Sequence, residues 1–540
     1  MKNSKMFREK EVGLILFFIS LIMLLINLML SVNENTLRYD ELFELYLIKS
    51  TIPNIIHFTA LDVHPPLHYL VVKEFFSLLN CLGINLGNII PGKIFSTIPT
   101  IILMIFSYKY LKKDIGWIAS GLFSLSLVIM PQFLFYLTDV RMYNWGMLFV
   151  TLTFYMAYKI TINPSRKNYI ILIIIGALSA YMHYFCLVAI VCIYLMMIFW
   201  FALRNNVKEI MKTIFSGFTI LILFIPWISV VVKQINYIKG SYWIGTFDSM
   251  TALHYLWYLL SSTQTAETTW DLINNSRDSW GAVILLILLS ILMINSFKFI
   301  FKDNFSKEII VSKIINENFL VFGGFVLILE LVVGLLLSNL VGRPILHVRY
   351  LFISFACFWL TVSILISRVY TNKRLFALCL ILFFAGGMIS NVNSLNGNIN
   401  NKYFVNDLKS ALNNIGPDDL VIDGDLSLTG YRNLFMNHSD ENTVIESLDS
   451  YWEIPFKNVY FSLHDSSFFD DNNITNKVNK TLNDGNKVFY LSGIKNPVDH
   501  FIIMNKLIKS VDRNLTYTFN VPQIPDHLDY FTTFVVEIKK

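Results

Sequence analysis

The chain alternates long apolar runs with short polar breaks over its first three quarters. Runs of spanning length fall at 12–30, 93–110, 116–137, 142–160, 168–185, 187–203, 212–232, 281–300, 318–338, 347–367 and 375–394. A helix crossing a bilayer needs about 20 predominantly apolar residues, so the pattern predicts eleven transmembrane helices. One further stretch, PLHYLVVKEFFSLLNCL at 66–82, is shorter and carries His68, Lys73 and Glu74 in its middle. Ionisable groups are costly inside a bilayer, and the segment is predicted to lie along the membrane surface as an amphipathic helix. From about residue 396 the apolar runs shrink to strand length. DLVIDGD (419–425), NKVFYLSG (486–493) and FTTFVVEIKK (531–540) are predicted strands, and NDLKSALNN (406–414) a helix. The expected architecture is a polytopic α-helical membrane domain, residues 1–395, followed by a soluble α/β domain, residues 396–540.

Composition agrees with a membrane protein: 55% of the 540 residues are hydrophobic and 15% charged, against about 25% charged in an average soluble domain, and the mean hydropathy is +0.55. The formal charge of +5 acquires meaning from its distribution. With 66–82 on the surface, 20 of the 43 lysines and arginines fall on one side of the membrane, starting with Lys2, Lys5, Arg8 and Lys10. Ten fall in the short segments on the other side and 13 in the C-terminal region. The positive-inside rule then places the N-terminus in the cytoplasm and the C-terminal domain outside. The first apolar run has no clear small-residue cleavage site and is expected to be retained as an anchor. The five cysteines have no metal-type spacing, and the charge forms no nucleic-acid patch. The C-terminal region holds neither a GxGxxG nor a Walker pattern.

On this topology the unusual polar residues gather on the outer face. RYDELFELYL (38–47) brings Asp40 and Glu41, and DVHPPLHYL (62–70) brings Asp62 and His64. YLTDVRMYNW (136–145) supplies Asp139, Arg141 and Tyr143, AYMHYF (180–185) supplies His183, and VGRPILHVRY (341–350) supplies Arg349 and Tyr350. Each has an ordinary reading. Acids are common at a helix start just outside a span, proline at a first helical position is unremarkable, and His183 suits an interfacial helix end. The functional reading joins them: a carboxylate takes a proton from an attacking hydroxyl while arginines and histidines hold a departing phosphate. Arg141 and Arg349 favour it, because they run against the charge bias of their side.

Together these elements resemble the GT-C superfamily of membrane glycosyltransferases, in particular the family 39-like group containing protein O-mannosyltransferases and aminoarabinose transferases. The resemblance covers about residues 12–395 and is most specific in its first third, where the acidic pair is followed by D-x-H-P-P-L-x-Y-L. It implies an inverting transferase that moves a sugar from a polyprenyl-phosphate donor to a hydroxyl acceptor in a cell-envelope glycan, lipid or protein. It implies Asp40, with Glu41 beside it, as the catalytic acid pair and His64 as a donor-site residue, and Arg349 with Tyr350 matches a late R-Y pair; Arg141, Tyr143 and Arg349 are the candidates for binding the donor or its phosphate. Asp139 stands where the family's E-x-R-M-Y element has Glu, which keeps the charge and shortens the reach. Some enzymes of the superfamily use a divalent cation; no cluster in this sequence points to one, and no cofactor is expected. A transporter or flippase for lipid-linked sugars is the alternative, and a polytopic scaffold binding cell-wall components a third. Against transport stand the absence of an evident internal repeat and the one-sided placement of the polar residues. Lys-, Asn- and Ile-rich usage points to a bacterial cytoplasmic membrane.

Overall fold

The computed structural model describes residues 2–31, 37, 39–87, 89–240, 244, 247, 250–261, 276–300, 307–412, 418–423, 445–447, 459–460, 472–492, 516–520 and 534–539. Residues 1–33 and 50–395 form one unit, and residues 34–49 with 396–540 form another. Trp243 and Trp270, residue types suited to an interfacial aromatic belt, lie outside the described residues, as does the stretch GDLSLTG (424–430).

In the first unit the chain runs through α1 (Lys2–Ser31), and, beyond the second unit's α2 (Tyr39–Leu47), through α3 (Ile52–Leu61), α4 (Leu67–Cys81) and α5 (Ile90–Phe106). It continues with α6 (Lys112–Ile115), α7 (Trp117–Ile129), α8 (Phe133–Leu137), α9 (Tyr143–Ile162), α10 (Arg166–Met182), α11 (Tyr184–Leu203), α12 (Val207–Gly240) and α13 (Thr251–Tyr258). Four further helices follow before the unit ends: Ser276–Ile300, Lys307–Asn316, Gly323–Val341 and Phe355–Arg368, with Lys373–Leu412 beginning after them. Among the described residues nine helical segments are long and apolar enough to cross a membrane, so this is a multi-pass membrane protein. Their outward faces carry large exposed apolar side chains such as Phe18, Met29, Phe215 and Leu340, the composition that lipid contact demands. At 15 residues α4 is about 22 Å long at 1.5 Å per residue, short of the ~30 Å hydrocarbon core.

The 116–137 stretch, uniform in hydropathy, does not form one helix. Pro131 pushes the preceding Met130 into the extended region (φ −73°, ψ 154°), so α7 stops at Ile129. Gln132 then takes a left-handed conformation (φ 70°) before α8 begins. A broken helix leaves orphan carbonyls, and two distant asparagines satisfy one of them: Asn27 Nδ2 and Asn391 Nδ2 donate to the carbonyl of Val128 at 2.8 and 3.0 Å. Likewise the 168–185 stretch divides at His183, which is extended (φ −160°) between α10 and α11.

Helix α1 lies along α7 at backbone distance. A Cβ added at Gly13 would stand 2.6 Å from the carbonyl oxygen of Trp117, and one at Gly121 would stand 2.8 Å from that of Gly13. Gly13→Leu is therefore expected to lower the apparent melting midpoint in detergent, at a cost of about 1–3 kcal/mol for overpacking. Gly324→Ala, whose Cβ would make ordinary contact with Phe358 at 3.5 Å, is expected to leave it unchanged.

In the second unit six strands form one sheet: β1 (Leu420–Asp423), β2 (Ile445–Ser447), β3 (Val459–Tyr460), β4 (Val488–Ser492), β5 (Thr516–Asn520) and β6 (Phe534–Lys539), in the order β3-β2-β1-β4-β6-β5. β1 to β4 pair in parallel, while β6 runs antiparallel to β4 and β5. The crossover into β4 is the helix Asn472–Asn483, whose Val478 and Leu482 are buried together with Leu420 and Val488. The segment NDLKSALNN, expected as a helix, is helical over residues 406–412, at the C-terminal end of Lys373–Leu412.

Candidate functional site

The first unit brings five of the sequence-derived residues, from four different segments, into one buried cluster: His64, Arg141, Tyr143, His183 and Tyr350, with Arg349 at its edge. Local chemistry places each. His64 follows the end of α3 and precedes Pro65 and Pro66, which open α4. Arg141 sits in a tight turn in which its own N–H donates to the carbonyl of Asp139 at 2.7 Å, so the side chain emerges just before α9. His183 caps α11: its Nδ1 accepts from the N–H of Phe185 at 3.1 Å. That bond assigns the ring proton to Nε2 and leaves Nε2 as a donor. His347 does the same for the following 3-10 helix, Val348–Ser354, accepting from the N–H of Arg349 at 3.4 Å.

The rings of His64 and His183 lie 5.3 Å apart. Tyr350 lies 5.0 Å and Tyr143 5.6 Å from His183, and the two tyrosines stack at 6.3 Å. The Arg349 guanidinium stands 5.9 Å from the Tyr143 ring and 5.7 Å from the Tyr350 ring. Arg141, only 2% exposed, donates to the Tyr69 hydroxyl at 3.1 Å and lies 5.9 Å from its ring. Asp139 is buried in the same turn and Asp62 half-buried at the end of α3. His64 is buried, and its Nδ1 has no hydrogen-bond partner among the described residues.

Electrostatics keep both imidazoles neutral. Burial, then the positive charge of Arg141, the repulsion His183 would exert if it too took a proton, and the positive charge of Arg349 hold His64 well below the usual histidine range. Burial, Arg141 and Arg349 push His183 down to about 3. Two cations thus act on the same pair of neutral donors, an arrangement that suits an anion with hydrogen-bond-accepting oxygens. The linkage has a definite sign. An unfolded histidine titrates near 6.5, so the unfolded chain takes up protons that the folded site refuses, and stability falls as pH drops below about 6.5. Each histidine contributes up to about 1.4 kcal/mol per pH unit in that window. His183→Asn keeps an acceptable cap residue and is expected to flatten the decline in melting midpoint between pH 6.5 and 4. An unaltered slope in the variant would refute the assignment.

Asp40 and Glu41 occupy the first turn of α2, in the second unit, where Asp40 is half-buried and Glu41 buried. Among the described residues no group of three or more His, Cys, Asp or Glu side chains is arranged to hold a metal ion.

Two contributors escaped the sequence reading. Tyr69 lies inside DVHPPLHYL, but nothing local says that its hydroxyl meets Arg141, 72 residues on. Gln234 of α12 donates to the carbonyls of Thr59 and Ala60 at 3.0 and 3.2 Å and accepts from Tyr184 at 2.5 Å; Trp227 donates to the same tyrosine at 2.8 Å. This chain of bonds ties the end of α3, which leads into His64, to the residue that follows His183.

No family model matches the sequence, and no curated protein does either. Among solved structures, ArnT from Cupriavidus metallidurans bound to undecaprenyl phosphate superimposes over 99% of this chain and 98% of its own, with a TM-score of 0.53 at 9% identity. The chain has the GT-C fold. The apo state of the same ArnT gives 0.47 at 11% identity over 99% and 98%. The oligosaccharyltransferase of Archaeoglobus fulgidus, in complex with Zn and sulfate, gives 0.47 at 12% over 97% of this chain and 72% of its own.

Proposed function

We propose that this protein is an inverting glycosyltransferase that moves a sugar from a polyprenyl-phosphate donor to a hydroxyl acceptor of the cell envelope, on the outer face of a bacterial cytoplasmic membrane. The observation that carries it is the convergence of Arg141 and Arg349 on two neutral histidines, one with an unpartnered buried nitrogen. The fold of an undecaprenyl-phosphate-bound aminoarabinose transferase supports it. Arg141 and Arg349 bind the donor phosphate and gather the negative charge that grows on it as the glycosidic bond breaks. His183 Nε2 and His64 donate hydrogen bonds to the same oxygens. Tyr143 and Tyr350 supply aromatic surface beneath the sugar or the first isoprene. Asp40 takes the acceptor's proton as its oxygen attacks the anomeric carbon from the face opposite the phosphate, with Glu41 beside it and Asp139 and Asp62 as further acids of the site. The polyprenyl phosphate leaves as an anion, so no nucleotide and no covalent sugar–enzyme bond are required.

The test is sugar transfer from synthetic polyprenyl-phosphate donors carrying different radiolabelled sugars, in proteoliposomes. Turnover of one donor by the wild type establishes the reaction and names the sugar. Donor that crosses the bilayer unconsumed establishes the flippase instead.

A further inference from the structure

Glu330 lies midway along the Gly323–Val341 helix, inside a candidate span, and is wholly shielded from solvent. A carboxyl group is expensive in such a place and persists where it meets a constraint, yet the mechanism above makes no use of it. Ser354 Oγ donates to its Oε2, while Oε1 has no hydrogen-bond partner among the described residues. Ser354 ends the 3-10 helix Val348–Ser354 and is also the N-cap of Phe355–Arg368. A serine there ordinarily turns its oxygen onto the N–H groups of its own helix. No such cap bond forms here; the hydroxyl is directed at Glu330.

The same helix grips the other end of this segment. Ser338 Oγ accepts from the N–H groups of Ile345 and Leu346 at 3.2 and 3.3 Å. Leu346 in turn fills the space beside Gly334, where an added Cβ would meet it at 3.0 Å. Glu330 and Ser338 are about two turns apart on one helix, roughly 12 Å. Between their two attachments the backbone presents Arg349 and Tyr350.

We propose that Glu330 is a positioning residue: together with Ser338 it pins both ends of residues 345–354 to one helix and so fixes Arg349 and Tyr350 against His183. The proposal rests on the reading of Arg349 as a donor-phosphate ligand, and the two are tested separately. Amide hydrogen exchange in lipid nanodiscs reports the pinning without any substrate. Glu330→Leu and Ser354→Ala are each expected to raise exchange across 345–354 at least several-fold while other spans stay as in wild type. The double variant should be no faster than either alone, because both remove the same bond. Glu330→Gln, which still accepts from Ser354, is expected to stay close to wild type. In the turnover assay Glu330→Leu should lose kcat on the order of 10²-fold, the scale of a 1 Å misplacement, and Glu330→Gln should recover most of it. Unchanged exchange in both Glu330→Leu and Ser354→Ala overturns the proposal, and so does loosening by Glu330→Gln equal to that by Glu330→Leu. Raised exchange with undiminished turnover supports the pinning and removes Arg349 from the donor site.

Discussion

Asp40→Asn is expected to cut sugar transfer on the order of 10²–10⁴-fold, the contribution of a well-placed general base, with donor binding kept within about threefold. The substitution preserves size and hydrogen-bonding shape and removes only the ability to take a proton. Asp40 sits in the first turn of α2. Two measurements in the same proteoliposomes check this: radiolabel transferred to acceptor, and radiolabelled donor retained at equilibrium. Loss of both would mean that Asp40 shapes the binding site. Full activity would return RYDELFELYL to a charged helix start and move the search for the base to Asp139 and Asp62.

The second large effect is expected at Arg141. Arg141→Met removes one of the two cations acting on His64 and His183 while keeping an unbranched side chain of similar length. Loss of a preorganised group that meets developing negative charge costs about 10²–10³ in kcat, some 2.7–4 kcal/mol. Arg141→Lys should recover only part of this, because an ammonium replaces a planar fork that also reaches the Tyr69 hydroxyl. An independent signature accompanies the loss. With one positive neighbour gone, His64 and His183 should both titrate at higher pH, and stability below pH 6.5 should fall less steeply in Arg141→Met than in wild type. Burial is the largest cause of both depressions, so the recovery is partial. An unchanged pH profile would show that the guanidinium does not act on the imidazoles.

The sequence disclosed much of the membrane unit because its decisive signals are local. Span positions follow from hydropathy, since a bilayer punishes polar residues wherever they occur. The surface position expected for 66–82 rests on Lys73 and Glu74 and on the charge balance of the loops. The residues of the cluster announced themselves by being out of place, as with Arg141 and Arg349 against the positive-inside bias. The breaks inside apolar stretches were less visible. Hydropathy is blind to backbone geometry, so 116–137 reads as one span although Pro131 divides it. The proline was there to be weighed; the rescue of the Val128 carbonyl by Asn27 and Asn391 was not.

Pairings across long separations were hidden for a different reason. A hydrogen bond between Arg141 and Tyr69, or between Gln234 and the end of α3, depends on which helix faces pack together, and no periodicity in one segment encodes the identity of its neighbour. Glu330 shows this most clearly. In the sequence it is a single acid in an otherwise apolar span; its meaning appears only when Ser354 arrives across the helix interface, bringing the segment that carries Arg349. By itself, then, the sequence determined the membrane class, most of the span positions and the residue types available for phosphate chemistry, because solvent preference and charge act residue by residue. Tertiary structure decided that His64, Arg141 and His183 share one buried environment with the half-buried Arg349 at its edge, and that burial with two guanidiniums holds the histidines neutral, because desolvation and Coulomb interaction depend on distances that only packing sets.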